Sequence, residues 1–501
     1  MNDVLHQILL IFISIIIFLY TFSLIIIFIY SLAQGNLLLI YLNAKSKANK
    51  LNWNTSNKNL PMVTIQLPIY NELYVIERLI NSVKRINYPK EKLQIQVLDD
   101  SNDQSITLTS KLVKKVKNEG LDIIHIKRKN RKGFKAGALK EGLKSAKGEF
   151  IAIFDADFIP DANFLENTIP YFKNKKVGLV QTKWGHINNN YSILTKIQAF
   201  ALDAHFSLEQ VGRNAKGHFI NFNGTAGVWR KSAIIDAGNW QADTLAEDLD
   251  LSYRAQLKNW KFVYLENVTT PAELPITINA IRSQQFRWNK GGAENFQKII
   301  SKILKSNNIS FKTKVHGILH LFNSSVFLNI FLVGILSVPM LYIKSIWPDL
   351  AWYYNFISLF IISTIIYFIS YWFVHKNLYG TGIKSFINYI QRFVIFYCLT
   401  IGFSLHNSIA VLEGHLRKKS DFIRTPKFNL KDSGKSFKNN KYVSGKISYN
   451  VIYEGLITFY FLFGLFSPFI IGNKGDFGLF PFHLMLFIGF AFLTIKSLKI
   501  Y

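Results

Sequence analysis

Long uncharged apolar runs bracket a central stretch of mixed charge, and this segmentation limits the fold more than any single motif. Residues 8–30 carry no charged side chain, enough to cross the ~30 Å of a hydrocarbon core at ~1.5 Å per residue. The run lacks a basic leading region and a small-residue cleavage site, so a retained anchor is expected rather than a removed signal peptide. Residues 43–314 read as soluble, with mixed charge and short apolar runs. Apolar segments return at 315–343, 351–374, 386–412, 451–471 and 477–498. At 501 residues, the chain exceeds one ordinary domain.

Charge placement predicts the topology. Lys and Arg total 59 against 31 acids, a formal charge of +28. Much of the excess flanks apolar segments, where the positive-inside rule and anionic lipid account for it, and no nucleic-acid partner is expected. No Lys or Arg precedes Ile8, whereas Lys45, Lys47 and Lys50 follow the first run, so the soluble part is expected in the cytosol. Residues 415–448 carry ten Lys/Arg against Asp421 and Asp432 and are expected on the same side. That parity makes 386–414 an interfacial or re-entrant segment, with Gln391, Arg392, His406 and Asn407 suited to a partly wet site. Five spans result: one before the soluble part and four after it, at the plasma (inner) membrane. Cys398 is the lone cysteine, which excludes an intrachain disulfide and a cysteine metal site.

Between Pro61 and Pro275, short β-rich runs at 63–67, 94–98, 123–126, 150–154 and 178–181 alternate with helical patterns at 75–84, 105–117 and 134–145. The alternation predicts an α/β domain with a mainly parallel sheet, whose ligand sits at the carboxyl ends of the strands. Acids recur there: Glu72 after the first run, Asp99 and Asp100 after the second, Asp155 and Asp157 after the fourth. Each set alone also reads as a turn or a helix cap. Asp155-Ala156-Asp157 can hold a hard divalent cation together with phosphate oxygens, and Asp99-Asp100 offers acceptors to a nucleobase and ribose. Arg131 to Ala138 opens a helix, either as a solvated basic start or as a site where Lys135 and backbone N–H groups meet a diphosphate.

Asn223-Gly224-Thr225 sits in a polar, glycine-bearing stretch that reads either as a loop or as a place where backbone approaches a sugar. Glu247, Asp248 and Asp250 crowd a helix start, which suits the macrodipole; one of them can instead face an acceptor hydroxyl as a base. Gln284-Gln285-Phe286-Arg287-Trp288 lies on an amphipathic stretch before the second span, where Trp and Arg also serve as interfacial anchors.

In this order the motifs resemble the family 2 glycosyltransferases, specifically the membrane-embedded, processive, cellulose-synthase-like branch. The likeness runs from about Pro61 to Trp288 through Gln66 to Glu72, Val97 to Ser101, Asp155-Ala156-Asp157, Glu247-Asp248 and Gln284-Gln285-x-Arg287-Trp288. Phe134 to Leu139 and Phe222 to Arg230 look most like the plant mannan and xyloglucan-backbone synthases. Phe422-Ile423-Arg424-Thr425-Pro426-Lys427 is similar to the cellulose-synthase gating loop, with Arg424 in place of a valine; Ala246 stands where the family has threonine.

The resemblance implies an α/β GT-A catalytic domain embedded in an α-helical multi-pass membrane protein. It divides the chain into an anchor (1–42), a cytosolic catalytic domain (43–275), interfacial helices (276–314), a transmembrane pair (315–374), the interfacial or re-entrant segment (386–414), the gating-like loop (415–448) and a second pair (451–498). It further implies that Tyr70, Glu72, Asp99 and Asp100 hold the nucleoside and that Lys135 reaches the diphosphate. Asp155 and Asp157 would work with Mg2+ or Mn2+, and Asp248 would be the general base. Gln284 and Arg287 would contact the diphosphate, Trp288 would stack under the acceptor sugar, and Thr425 and Lys427 would close over the donor. Asn223, Gly224, Thr225, Glu247 and Gln285 complete the substrate-binding set. The expected reaction is inverting transfer of a hexose from UDP-glucose or GDP-mannose, with a slight lean to UDP-glucose, onto a growing β-linked polysaccharide exported through the spans. A lipid acceptor, such as ceramide or a polyprenyl phosphate, is the alternative. Linkage, primer and accessory subunits stay open.

Overall fold

The structure, a computed structural model, describes residues 2–45, 60–429, 442, 450–472 and 475–498. The chain divides into two compact units. One comprises Leu37–Leu321 and Lys419–Tyr442; the other comprises Met1–Asn36, Phe322–Lys418 and Val443–Tyr501.

After helix α1 (Asn2–Lys45), the first unit alternates strands and helices. These are β1 (Val63–Ile69), α2 (Ile76–Val83), β2 (Leu93–Asp99), α3 (Ser105–Asn118), β3 (Asp122–Lys127), α4 (Phe134–Ser145), β4 (Phe150–Ile153), α5 (Phe164–Thr168) and β5 (Val177–His186). There follow α6 (Ile193–Ala204), a π-helical turn His205–Gln210, α7 (Val211–Ala215), β6 (Gly227–Arg230), α8 (Lys231–Asp236), α9 (Glu247–Leu257), β7 (Lys261–Ala272) and α10 (Ile278–Lys305). The seven strands form one sheet in the order β3-β2-β1-β4-β6-β5-β7. All neighbours pair in parallel except β6, which runs antiparallel to β4 and β5.

Both faces of the sheet are covered, and the polar residues that alternate with apolar ones in β1 and β2 are buried and paired: Thr64 Oγ1 donates to Gln94 Oε1 and Gln66 Nε2 to Gln96 Oε1. Val63, Ile65, Leu67, Leu93, Ile95 and Val97 pack with α2 residues Ile76 and Leu79 on one side. Leu98, Ile151 and Ile153 pack with α4 residues Ala136, Ala138 and Leu139 on the other. The carboxyl ends of β1, β2 and β4 therefore open onto one edge.

β6 and β7 extend the sheet beyond the five runs read from sequence. β6 has four residues, and its pairing between β4 and β5, rather than any local pattern, defines it as a strand. The Arg287–Trp288 stretch lies within the single 28-residue helix α10.

In the second unit, α12 (Val326–Ile346), which follows α11 (Phe311–Phe322), packs against α1 through Val333 and Met340 on Ile13, Ile16 and Tyr20. Next come α13 (Ala351–Ser358), α14 (Ile362–Tyr379), α15 (Ile383–Gly402), α16 (Ser404–His415), α17 (Asn450–Ile471) and α18 (Phe480–Leu498). A Cβ at Gly402 would lie 2.6 Å from the Gly489 carbonyl oxygen, and one at Gly489 would lie 2.2 Å from that of Cys398. Small residues thus let α15 and α18 touch along their backbones. Among the described residues, five helical stretches are long and apolar enough to span a membrane: Val4–Ala44, Phe311–Ile346, Pro348–Tyr379, Asn450–Ile471 and Phe477–Leu498. The segment expected at 386–414 is α15 and α16, which meet at a 50° bend. Lys431, Lys435, Lys438, Lys441 and Lys446, counted in the basic loop, lie outside the described residues, as do Lys47 and Lys50.

Candidate functional site

The turns after β1, β2 and β4 and the starts of α4, α9 and α10 converge on one cavity. Its wall includes Tyr70, Glu72, Asp100, Lys135, Asp155, Asp157, Asn223, Gly224, Glu247, Asp248, Gln284, Arg287, Trp288, Thr425 and Lys427. Fifteen of the eighteen residues singled out in the sequence are thus brought together. Asp99, Thr225 and Gln285 are not on the wall. Asp99 is buried behind it, bonded to His125 Nε2 (2.8 Å) and the Ser101 N–H (2.9 Å). Thr225 Oγ1 accepts the backbone N–H of Asp155 (2.9 Å), and the Gln285 carbonyl accepts from Asn289 within α10.

Sharp backbone turns shape the wall. Asn71, Phe134 and Ala226 adopt φ values of 56°, 47° and 54°, and Gly224 adopts 80°. Left-handed backbone at non-glycine residues is sparsely populated, so its recurrence here marks a site that the surrounding fold over-determines. Asn71 is held by its N–H to Ser101 Oγ (2.8 Å) and its Nδ2 to Asn102 Oδ1 (2.9 Å), which locks the β1 and β2 turns together. A Cβ on Gly224 would stand 2.9 Å from Asp248 Oδ2 and 3.3 Å from Lys135 Nζ. A side chain there would press on both charged groups.

At one end of the cavity the carboxylates crowd. Lys135 Nζ lies 2.6 Å from Asp155 Oδ1 and donates to the Gly224 carbonyl at 2.9 Å. Burial disfavours its charge, but Asp155, Glu247 and Asp248 outweigh that and raise its pKa. Asp248 is raised to about 7, by burial first and by the neighbouring Glu247 second. Glu247 is raised as well, mainly by burial. Arg287 is lowered by burial while Glu247, Asp155, Asp248 and Asp157 favour its charge, so four acids surround this one guanidinium. Trp288, one residue on, is 42% exposed and lines the same cavity.

At the other end, Asp100 is paired through both oxygens with Arg128, whose Nε donates to Oδ1 at 2.8 Å. His125 and Ser101 hold Asp99 below the usual carboxylate range even though burial acts the other way. Arg131 lies over the Tyr70 ring, its guanidinium carbon 3.4 Å from the centroid.

The segment 419–429 enters the same cavity. Arg424 clasps Glu72, Lys427 Nζ lies 2.6 Å from Asp157 Oδ2, and Arg287 Nη2 donates to Thr425 Oγ1 at 2.8 Å. Phe422 stacks on Phe134 at 5.8 Å, and the N–H groups of Phe428 and Asn429 both donate to Glu273. Glu72 remains raised by burial despite Arg424. The contacts of Arg131, Arg424 and Glu273 were not read from the sequence. A basic residue where the gating-loop pattern has valine was the one signal for Arg424.

Asp155 and Asp157 together fit a hard divalent cation. Each already faces an ammonium at 2.6 Å, so both sit in cation-favouring positions. Among the described residues no three His, Cys, Asp or Glu side chains gather in a metal-holding group, so the other oxygens of an octahedron would come from a diphosphate and water.

The family description "Glycosyltransferase like family 2" matches residues 61–291. The protein named "Probable glucomannan 4-beta-mannosyltransferase 7" from Oryza sativa subsp. japonica is 35% identical over 80% of this chain and 71% of its own length. Glucomannan 4-beta-mannosyltransferase 1 from Oryza sativa subsp. japonica is 43% identical over 52% of this chain, a match spanning about half (51%) of that relative. Among solved structures, mannosyltransferase PcManGT from Pyrobaculum calidifontis, in complex with GDP-Man and Mn2+, aligns with a TM-score of 0.47 at 19% identity over 72% of this chain and 100% of its own.

Proposed function

The chain belongs to glycosyltransferase family 2, and from that premise we propose that it transfers a mannosyl residue from GDP-mannose, with inversion, to the end of a growing β-linked polysaccharide. The relatives' name favours a mannosyl donor over the UDP-glucose to which the sequence motifs lean. The observation that carries the reading is geometric: Asp248, half-buried, shares one cavity with Lys135, Asp155 and Arg287, and its neighbourhood raises its pKa to about 7. A base of that strength is matched to taking a proton from a sugar hydroxyl near neutral pH.

In the proposed step, the acceptor hydroxyl oxygen bonds to C1 of the donor while the bond from C1 to the diphosphate oxygen breaks. Asp248 takes the hydroxyl proton, and the departing nucleoside diphosphate keeps the electron pair. Arg287 and Lys135 balance the negative charge that develops on the leaving group. A divalent cation held by Asp155 and Asp157 would supply further charge neutralisation when bound. Trp288 gives the acceptor sugar an apolar face to stack on. The apolar helices would carry the product across the plasma membrane, with the catalytic unit in the cytosol.

The test is transfer by the purified full-length protein in lipid nanodiscs, with labelled GDP-mannose or UDP-glucose and the product digested by a mannanase or a glucanase. Label from GDP-mannose in a mannanase-sensitive polymer, absent with Asp248→Asn, is expected. Polymer formed only from UDP-glucose would overturn the donor, and full yield from Asp248→Asn would overturn the base.

A further inference from the structure

Arg131 differs from the other arginines of this cavity. Arg128 is spent on Asp100 and on the carbonyls of Lys132 and Phe134; Arg424 is spent on Glu72; Arg287 donates to Thr425. Arg131 makes no side-chain hydrogen bond among the described residues, and its Nε is buried without a partner. Its guanidinium carbon instead lies over the Tyr70 ring, 3.4 Å from the centroid, and 5.0 Å from that of Phe134. Stacking uses the face of the guanidinium and leaves its in-plane N–H donors free.

The backbone fixes this placement. Gly133 and Phe134 take φ of 73° and 47°, so the chain reverses abruptly into α4. At Gly137 a Cβ would fall 2.2 Å from the Lys132 carbonyl oxygen and 2.5 Å from Arg128 Nη1, so the segment bearing Arg131 is pressed onto the helix. The groups acting on Arg131 are Tyr70, Asp100, Arg128 and Arg424. Those acting on Lys135 are Asp155, Glu247 and Asp248. Arg131 is thus grouped with Tyr70 and Asp100, whereas Lys135 is grouped with Asp155, Glu247 and Asp248.

We propose that Arg131 reads the donor nucleobase and selects guanine, an inference that rests on the nucleotide-sugar reading above. A guanidinium edge presents two parallel N–H donors. Guanine answers with two adjacent acceptors, O6 and N7. Uracil sets an N3–H donor beside each carbonyl, so the fork makes one bond and meets a like group. Adenine replaces O6 with an amino donor.

Calorimetric titration of the full-length protein with GDP, UDP and 7-deaza-GDP, without acceptor, tests this. The last probe differs from GDP only in lacking the N7 acceptor. The unaltered protein is expected to bind GDP roughly tenfold more tightly than 7-deaza-GDP or UDP. In Arg131→Gln and in Arg131→Lys, GDP falls to the 7-deaza-GDP level while UDP affinity stays within about twofold, a result that also shows the variants are folded. Equal affinity of the unaltered protein for GDP and 7-deaza-GDP overturns the proposal, whatever the variants do. Parallel loss of GDP and UDP in Arg131→Gln overturns it too, because that pattern marks a phosphate contact. Failure of every nucleotide to bind the unaltered protein removes the nucleotide-sugar reading itself, and the base assignment with it.

Discussion

Arg424 grips Glu72 with two prongs, Nε to Oε1 at 2.8 Å and Nη2 to Oε2 at 2.6 Å, across 352 residues of sequence. Both side chains are mostly buried, with 13% and 9% of their surface exposed. Around this pair, Thr425 takes Arg287 and Lys427 takes Asp157, so one segment occupies groups that an incoming donor would use.

Cutting the pair from the Arg424 side leaves a buried carboxylate uncompensated, at a cost of ~3 kcal/mol. Glu72 escapes that cost only by taking a proton or by releasing the segment to water. Arg424→Val should therefore loosen residues 419–429 and strengthen GDP binding by roughly three- to tenfold, since the competitor for the site is weakened. Kd values for GDP in the two proteins decide it. An unchanged Kd would mean that the segment does not compete with nucleotide.

Activity should rise with pH through a midpoint near 7. Burial and Glu247 favour the protonated Asp248 carboxyl below that value, and a protonated carboxyl cannot take the acceptor hydroxyl's proton. Glu247→Gln removes the repelling charge and should shift the midpoint to lower pH. The stability effect has the opposite sense to that of a salt-bridged acid. A carboxyl whose folded pKa lies above its unfolded one contributes stability at low pH, and that contribution is lost as pH rises through about 7. Rate profiles of kcat at saturating donor for both proteins provide the check; coincident midpoints would remove Glu247 as a cause.

Removing divalent metal should stop transfer while leaving the protein folded. Lys427 already neutralises Asp157 and Lys135 neutralises Asp155, so neither carboxylate is left as a bare buried charge. Chelation followed by Mg2+ or Mn2+ should restore the rate, and Asp157→Asn should lower it at least a hundredfold. Undiminished transfer in excess chelator would exclude a metal role.

Much of this architecture is legible in the sequence because local pattern and tertiary role agree there. Residues 63–67 and 94–98 read as strands since their apolar side chains recur at every second position and line one face of the core. β6 is different: Gly-Val-Trp-Arg carries no period, and only β4 and β5 on either side make it a strand. Glu72, Asp100, Asp155 and Asp157 are legible as strand-end acids, but their cations are not. Arg424 and Lys427 arrive from far along the chain, and Arg131 is one basic residue in a run of several until Tyr70 is seen beneath it. Position relative to a strand end is a local property, whereas pairing is not.

The contact between Lys427 and Asp157 also bears on the topology. Their 2.6 Å separation puts residues 419–429 on the same side of any bilayer as the catalytic cavity. After α10, two helical stretches, Phe311–Ile346 and Pro348–Tyr379, are long and apolar enough to cross and return. A further crossing by α15 and α16 would carry the following loop to the opposite side, away from Asp157. Their 50° bend suits a segment that dips into the membrane and comes back. A cysteine at Lys435, beyond the described residues, should therefore react with a membrane-impermeant maleimide only after cells are permeabilised. A cysteine at the exposed Asp349, between the two crossings, should react in intact cells. Cys398 is buried and gives little background, which the unaltered protein measures. Labelling at 435 in intact cells would make α15 and α16 a sixth span and would separate the loop from the site it enters here.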